Sequence, residues 1–385
     1  MATNLERSTI ITNLTYIVSH PIQYQAPLLR LVAKERGIRL RVIFENNPES
    51  QAYYDPDFKR SIIWDLPLTD GYENTFLTDT CLLSEIKNSD ILWLHGWSSP
   101  VMRKALMLAR RLRTPVLMRG ENCDLAMPDG TAIKSWIKRL YLAWIFQHCT
   151  AFLAIGTENK NYYLDRGVAK KQIFLTPYAV DNESFREKAE AAQSENNKLR
   201  SDLGIIPNQK VILFSGKFMP RKQPDILINA MNRIDWKDSR EPALVFVGGG
   251  EMEGKLRTQA PTAIFLGFKN QSELPSIYSM ADVMVLPSKC EPWGLAVNEA
   301  MACGTAIIVS DQVGCAKDLL DDKCGKIFPC GDTKALADTL VHCLEHSEKM
   351  GLAARATIRK WGFAEDIVGL KEAIHYVEES NVINP

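Results

Sequence analysis

No Cys-x-x-Cys pair occurs in the 385 residues, although nine cysteines are scattered along them. An odd count without regular spacing speaks against a disulfide framework and a zinc site, and fits a reducing compartment. Net charge is lacking as well. The 46 Lys and Arg are balanced by 46 Asp and Glu, which argues against a general nucleic-acid binder. No apolar run is long enough to suggest a membrane span. The longest uncharged stretch, residues 140–157, holds Gln147, His148, Cys149 and Thr150 in its middle and reads as a helix end running into a strand. The opening residues MATNLERSTIITNL show no charged-then-apolar signal pattern, so a cytoplasmic location is expected. Short-period repeats and low-complexity tracts are also missing. What is present is 46% hydrophobic residues, enough to bury a real core in each of two domains of roughly 150–200 residues.

Short apolar runs alternate with helical patterns. In the first half, residues 14–18, 40–44, 91–94, 115–118, 151–155 and 173–176 read as strands, with helices over 27–34, 102–113 and 133–145. Residues 187–200 are polar and charged and read as an exposed helix or linker. The alternation then restarts, with strands or helices at 211–215, 225–231, 243–247, 263–266, 283–287, 298–302 and 306–309. Such alternation predicts parallel sheets covered by helices on both faces. The expected organisation is α/β, with two Rossmann-like domains facing a central cleft. Residues 1–190 form the first, residues 200–355 the second, and a last helix over about 356–385 packs back on the first. Open sheets of this kind bind ligands at the carboxyl ends of their strands.

The most informative segment is Leu286-Pro-Ser-Lys-Cys-Glu-Pro-Trp-Gly-Leu-Ala-Val-Asn-Glu-Ala-Met-Ala-Cys-Gly304. A strand ends at Leu286, a loop presents Glu291, and Pro292 and Gly294 shape a turn into a helix. The free N–H groups of Gly294, Leu295 and Ala296 then stand at a helix N-terminus, where unpaired donors and the macrodipole together attract an anion such as a diphosphate. Glu291 and Glu299 flank that anion site. Taken alone, they read as a helix-start carboxylate and a solvated side chain. Beside an anion site, they are better placed to accept hydrogen bonds from hydroxyls, and sugar hydroxyls are the obvious donors.

The same segment, EPWGLAVNEAMACG, resembles the Glu-x7-Glu signature of family 4 retaining glycosyltransferases (glycosyl transferases group 1, GT-B fold), with Trp293 for the usual Phe. The resemblance implies that Glu291 contacts a donor sugar, Glu299 holds the ribose of the nucleotide, and the Gly294–Ala296 amides bind the diphosphate. Phe214-Ser-Gly-Lys-Phe-Met-Pro-Arg-Lys222 resembles the family's G-R-L-x-x-x-K motif. It gives Lys217 and Lys222 the task of neutralising the donor phosphates, beside Gly216. Lys217 departs from the usual Arg, replacing a bidentate fork by a point charge, for which Arg221 can compensate. Phe265-Leu-Gly-Phe-Lys269 resembles the FLGF loop, which places Phe268 and Lys269 at the nucleotide. Tyr278-Ser-Met-Ala-Asp-Val-Met-Val-Leu-Pro-Ser288 resembles the strand entering the donor site, and Thr176-Pro-Tyr-Ala-Val-Asp181 stands where members usually show P-N-G-V-D. The resemblance runs from about residue 150 to 345 and is strong after 211.

The first half matches less closely. Its first loop, in Tyr16-Ile-Val-Ser-His-Pro-Ile-Gln-Tyr-Gln-Ala-Pro27, lacks the glycines of many members and offers Ser19, His20, Gln23 and Tyr24. It looks like a bacterial subgroup with an HPIQYQAP-type loop. His20 reads either as a catalytic cleft residue touching acceptor or phosphate or as a structural one, and Gln23 and Tyr24 are expected on the acceptor side. Members commonly carry a His after a middle strand. Here Met118-Arg-Gly-Glu-Asn-Cys-Asp124 has Arg119 instead, so Arg119 and Glu121 are expected on the acceptor side and His95 is the alternative for the histidine role.

Two look-alikes are rejected. Asp55-Pro-Asp57 matches the metal-binding Asp-x-Asp of a different glycosyltransferase fold but follows no apolar strand, and a hard cation would need more oxygen ligands. Gly248-Gly-Gly-Glu-Met-Glu-Gly254 has the wrong spacing for a dinucleotide loop. Residues 100–140 carry nine Lys and Arg against three acids. Their helices most simply present a solvated face, yet the basic-plus-aromatic pattern also suits peripheral contact with an anionic membrane. The resemblance thus implies a retaining transfer without cofactor or metal, from a nucleotide sugar, UDP being commonest, to a glycan, lipid-linked or small-molecule acceptor. A non-catalytic nucleotide-sugar binder and a nucleotide-sugar epimerase are the alternatives.

Overall fold

The computed structural model describes residues 11–46, 52–55, 60–125, 132–236 and 241–383. Its strands are Thr12–Val18 (β1), Ile38–Phe44 (β2), Ala52–Asp55 (β3), Arg60–Ile63 (β4), Glu73–Phe76 (β5), Ile91–His95 (β6), Val116–Arg119 (β7), Ala151–Ala154 (β8), Ile173–Leu175 (β9), Val211–Ser215 (β10), Ala243–Val247 (β11), Ile264–Phe265 (β12), Val283–Leu286 (β13), Ala306–Ser310 (β14) and Gly325–Phe328 (β15). They form a parallel sheet in the order β5-β2-β1-β6-β7-β8-β9, a second in the order β12-β11-β10-β13-β14-β15, and a small antiparallel β3-β4 ribbon. Asp57 of the rejected Asp-x-Asp lies outside the described residues.

Each sheet is buried on both faces, as parallel sheets are. Successive residues of β1 point to opposite sides. Ile17 joins one apolar cluster with Leu106 and Leu142, while Tyr16 and Val18 join another with Leu29 and Leu370. The same split divides β10, with Leu213 on one side and Ile212 and Phe214 on the other. Buried runs were therefore readable as strands. The edge strand β5, Glu73-Asn-Thr-Phe76, has no apolar run to mark it and pairs with β2 alone.

Residues 187–200 fall in helices Asn182–Ala192 and Asn196–Asp202, the first capped by Asp181, which accepts from Ser184 N at 3.0 Å. Helix Pro100–Leu112 starts at Ser99, whose side chain accepts from Met102 N at 3.1 Å. The last helix, Phe363–Ile383, lies on the first sheet, with Ile367, Leu370, Ala373 and Val377 in its core.

Candidate functional site

Counted in chain order, both sheets read 3-2-1-4-5-6, and the first adds one further strand. Such a sheet has a switch point where the order reverses, and ligands settle outside the carboxyl ends of the strands there. The switch points lie between β1 and β6 and between β10 and β13. A cavity of about 210 Å³ opens at the second. Its walls are Ser215 and Gly216 after β10, Val247 and Gly248 after β11, and Leu295, Ala296 and Glu299 from helix Leu295–Cys303. The first half closes it with Gln23 and Tyr24 from the loop after β1, and with Trp64, whose ring lies 5.8 Å from Phe268. The expected donor residues Gly216, Leu295, Ala296, Glu299, Phe268 and Lys269 are thus brought together. Gln23 and Tyr24, expected to meet the acceptor, share their cavity.

Backbone geometry builds this wall of the cavity. Gly294 caps the helix at φ +103°, and a Cβ there would lie 3.0 Å from Leu286 Cδ2. Gly248, at φ +124°, passes so close to the next strand end that a Cβ would meet Gly216 O at 2.0 Å. Its role is steric, and the Gly248–Gly254 run forms part of the second sheet's rim. The first turn of the helix contains no acidic residue, so no carboxylate within that turn competes for the positive end of its dipole.

Glu299 accepts from Tyr278 OH at 2.7 Å, and the same hydroxyl lies 3.0 Å from Ser215 Oγ. Burial pushes the Glu299 carboxyl up to about 7, against the Tyr278 hydrogen bond. Glu291, 7% exposed, is ion-paired with Lys222. Arg221 Nη1 donates to Cys290 O at 3.3 Å and so props the loop that carries Glu291. Gln223 follows at φ +50°, outside the ordinary range for a non-glycine residue. Lys217 is half-buried directly after Gly216. Lys269 donates to Glu273 at 2.8 Å.

Across the cleft, a polar cluster stands at the first switch point. His95 ends β6, with Nδ1 2.7 Å from Tyr16 OH and 3.2 Å from Gln25 Nε2. Its Nε2 is 3.8 Å from Glu121. Tyr178 donates to Glu121, and the Tyr24 ring meets the Tyr178 ring edge-on at 5.4 Å. Burial raises the Glu121 carboxyl, but His95, Tyr178 and Arg119 together bring it below its ordinary value. His20 sits beside this cluster, bonded to Ser19 at 2.9 Å. Burial and the nearby His95 keep its imidazole below the ordinary value, hence neutral.

Arg119 departs from the expectation. It is 3% exposed and forms a two-pronged ion pair with Asp366 of the last helix, at 2.8 and 3.2 Å. Its guanidinium ties that helix to the first sheet and is not presented to an acceptor. Tyr278, Tyr16, Gln25 and Tyr178 were not singled out by sequence. Tyr278 lies inside a quoted motif, but no spacing shows that its hydroxyl reaches Glu299. Trp293, standing for the usual Phe, wedges between the halves. It stacks on Trp361 at 5.5 Å and lies so near Gly156 that a Cβ there would meet it at 2.3 Å. Among the described residues, no three His, Cys, Asp or Glu side chains converge as a metal site would require.

Residues 195–360 match the family described as Glycosyl transferases group 1. The sulfoquinovosyl transferase of Arabidopsis thaliana is 28% identical over 73% of this chain and 56% of its own length. The D-inositol 3-phosphate glycosyltransferase of Nocardia farcinica is 28% identical over 74% and 66%. These alignments thus span between about half and two thirds of the relatives' own lengths. Among solved structures, Anabaena HepE in complex with UDP superposes with a TM-score of 0.73 at 16% identity, covering 95% of this chain and 100% of that one. Sucrose-phosphate synthase of Thermosynechococcus elongatus does so with 0.68 at 19%, covering 96% and 100%. The fold is GT-B, and the match to the glycosyl transferases group 1 covers residues 195–360.

Proposed function

We propose that the chain is a retaining glycosyltransferase that takes a sugar from a nucleotide donor, UDP-linked by preference, and passes it to a glycan, lipid-linked or small-molecule acceptor. The observation that carries this reading is the cavity at the second switch point, where a helix N-terminus with no acidic residue in its first turn, two close strand ends and the Glu299 carboxylate converge. The nucleotide diphosphate would lie on the Gly294–Ala296 amides, with the ribose hydroxyls on Glu299 and the sugar toward Glu291. Choice of UDP follows HepE, a neighbour in fold whose structures hold UDP and UDP-glucose.

Lys222 and Glu291 neutralise each other. A bound diphosphate would share Lys222 and free Glu291 to accept from the sugar. As the bond between the anomeric carbon and the diphosphate breaks, Lys222, Lys217 and the helix amides stabilise the departing charge from fixed positions. The acceptor hydroxyl attacks from the same face, and its proton goes to the leaving phosphate. No metal enters this scheme. His95 and Glu121 line the acceptor side.

Thermal shift with UDP-, GDP- and ADP-sugars tests the donor site. A ligand at a hundred times its dissociation constant should stabilise the protein by about 2.7 kcal/mol. One nucleotide class should do so with wild type and lose the effect with Glu299→Ala. A protein that responds to none of the three has no such site.

A further inference from the structure

Helix Ala132–Phe146 is apolar on two opposite faces. Leu142, Ile145 and Phe146 are buried against the first sheet. At about 100° per residue, Trp136, Ile137, Leu140, Tyr141 and Trp144 fall together on the far side, where they are 36–63% exposed. Other exposed large apolar side chains, such as Leu31, Leu352 and Val368, are scattered singly over separate elements, which is ordinary for a protein surface. Five on one helix face are not ordinary, and three of them are Trp or Tyr, the residues suited to a boundary between water and hydrocarbon.

The rings form a continuous row. Trp97 lies 5.9 Å from Tyr141, Tyr141 stacks on Trp144 at 6.2 Å, and Trp144 meets His148 at 5.2 Å. Arg110 Nη1 closes the row, 3.1 Å from His148 Nε2. The two helices that carry it have charge of one sign. Helices Ala132–Phe146 and Pro100–Leu112 contain Lys and Arg but not one Asp or Glu, and Lys104, Arg110, Arg111 and Arg139 are exposed.

We propose that this face seats on an anionic lipid bilayer, with the aromatic row in the headgroup layer and the flanking arginines on lipid phosphates. An amphipathic surface of this composition binds by apolar burial plus attraction to anionic lipid. A second copy fits less well, because two-fold pairing sets the same patch against itself and would bring the like charges together. Among the described residues no helix is long and apolar enough to cross a membrane, so the contact is with the surface. The row begins at Trp97, two residues after His95. A lipid-linked acceptor held at the bilayer would therefore arrive beside His95 and Glu121, a consequence that rests on the transferase reading.

Co-sedimentation with vesicles of phosphatidylcholine alone, or mixed with phosphatidylglycerol, tests the surface. Wild type should bind only the anionic vesicles. Trp136→Ala/Trp144→Ala and, separately, Arg110→Glu/Arg111→Glu should each weaken binding at least about tenfold, while both variants keep wild-type stabilisation by a UDP-sugar. Three results would overturn the proposal: no binding by wild type, variants that bind as wild type does, or a wild-type dimer in sedimentation velocity that the Trp variant abolishes. If no nucleotide sugar stabilises wild type but the vesicle pattern holds and circular dichroism shows both variants folded, the donor reading falls and the bilayer contact stands.

Discussion

Glu299 has a carboxyl raised to about 7 by burial, above the roughly 4.3 of an unfolded glutamate. Its protonated form therefore favours the folded state, a contribution that is full below the unfolded value and lost as pH rises through about 7. Ribose hydroxyls donating to the carboxylate would favour the ionised form instead. Affinity for a UDP-sugar should then rise up to about tenfold between about pH 6 and about pH 8 and level off above. Calorimetric titration reads this directly, since the diphosphate of a UDP-sugar does not itself titrate there. Glu299→Gln should flatten the profile, and a flat wild-type profile would remove the ribose role. Glu291 and Glu299 were legible because their spacing and setting form a motif. The Tyr278 hydrogen bond that engages Glu299 was not, because it joins residues 21 apart through tertiary packing. Arg119 was misjudged for a similar reason: its partner Asp366 lies 247 residues away, and a strand-end arginine looks the same whether it faces a cleft or a helix.

The elements around the site follow from local chemistry. Buried strands such as Val211–Ser215 announce themselves as short apolar runs, and all five residues are buried. β5 and β15 lie at sheet edges, where half-exposed, mixed sequences leave no such run. The helix that begins at Leu295 owes its position to Gly294. Alanine there would be strained at φ +103° and would press on Leu286 and Val313, at 3.0 and 3.2 Å. Gly294→Ala should cost about 1–3 kcal/mol of stability. By turning the amides away from the anion site, it should also weaken UDP-sugar binding more than about tenfold. Urea unfolding and calorimetry check the two effects, and unaltered affinity would show that the helix terminus does not hold the diphosphate.

The two halves of the molecule are tied together at two places. Thr157 donates to Asp318 through N and Oγ1, at 2.9 and 2.6 Å, beside the Trp293–Trp361 stack. The last helix returns to the first sheet and is pinned there by Arg119 and Asp366, with Asp366 1% exposed. Asp366→Ala would leave a buried guanidinium unpaired and should destabilise the protein by about 3–5 kcal/mol, whereas adding Arg119→Met should recover most of that loss. Denaturant unfolding of the single and double variants decides whether the pair acts as a unit. Transfer chemistry across the cleft can be read by proton NMR of a UDP-sugar incubated with the protein without acceptor. UDP should be released slowly, with the free sugar first appearing in the donor's own anomeric configuration, and the rate should fall about a hundredfold or more for Lys222→Ala, which removes a fixed charge from the leaving group. A sugar that first appears inverted, or a wild type that binds the donor and never cleaves it with or without acceptor, would rule out a retaining transferase.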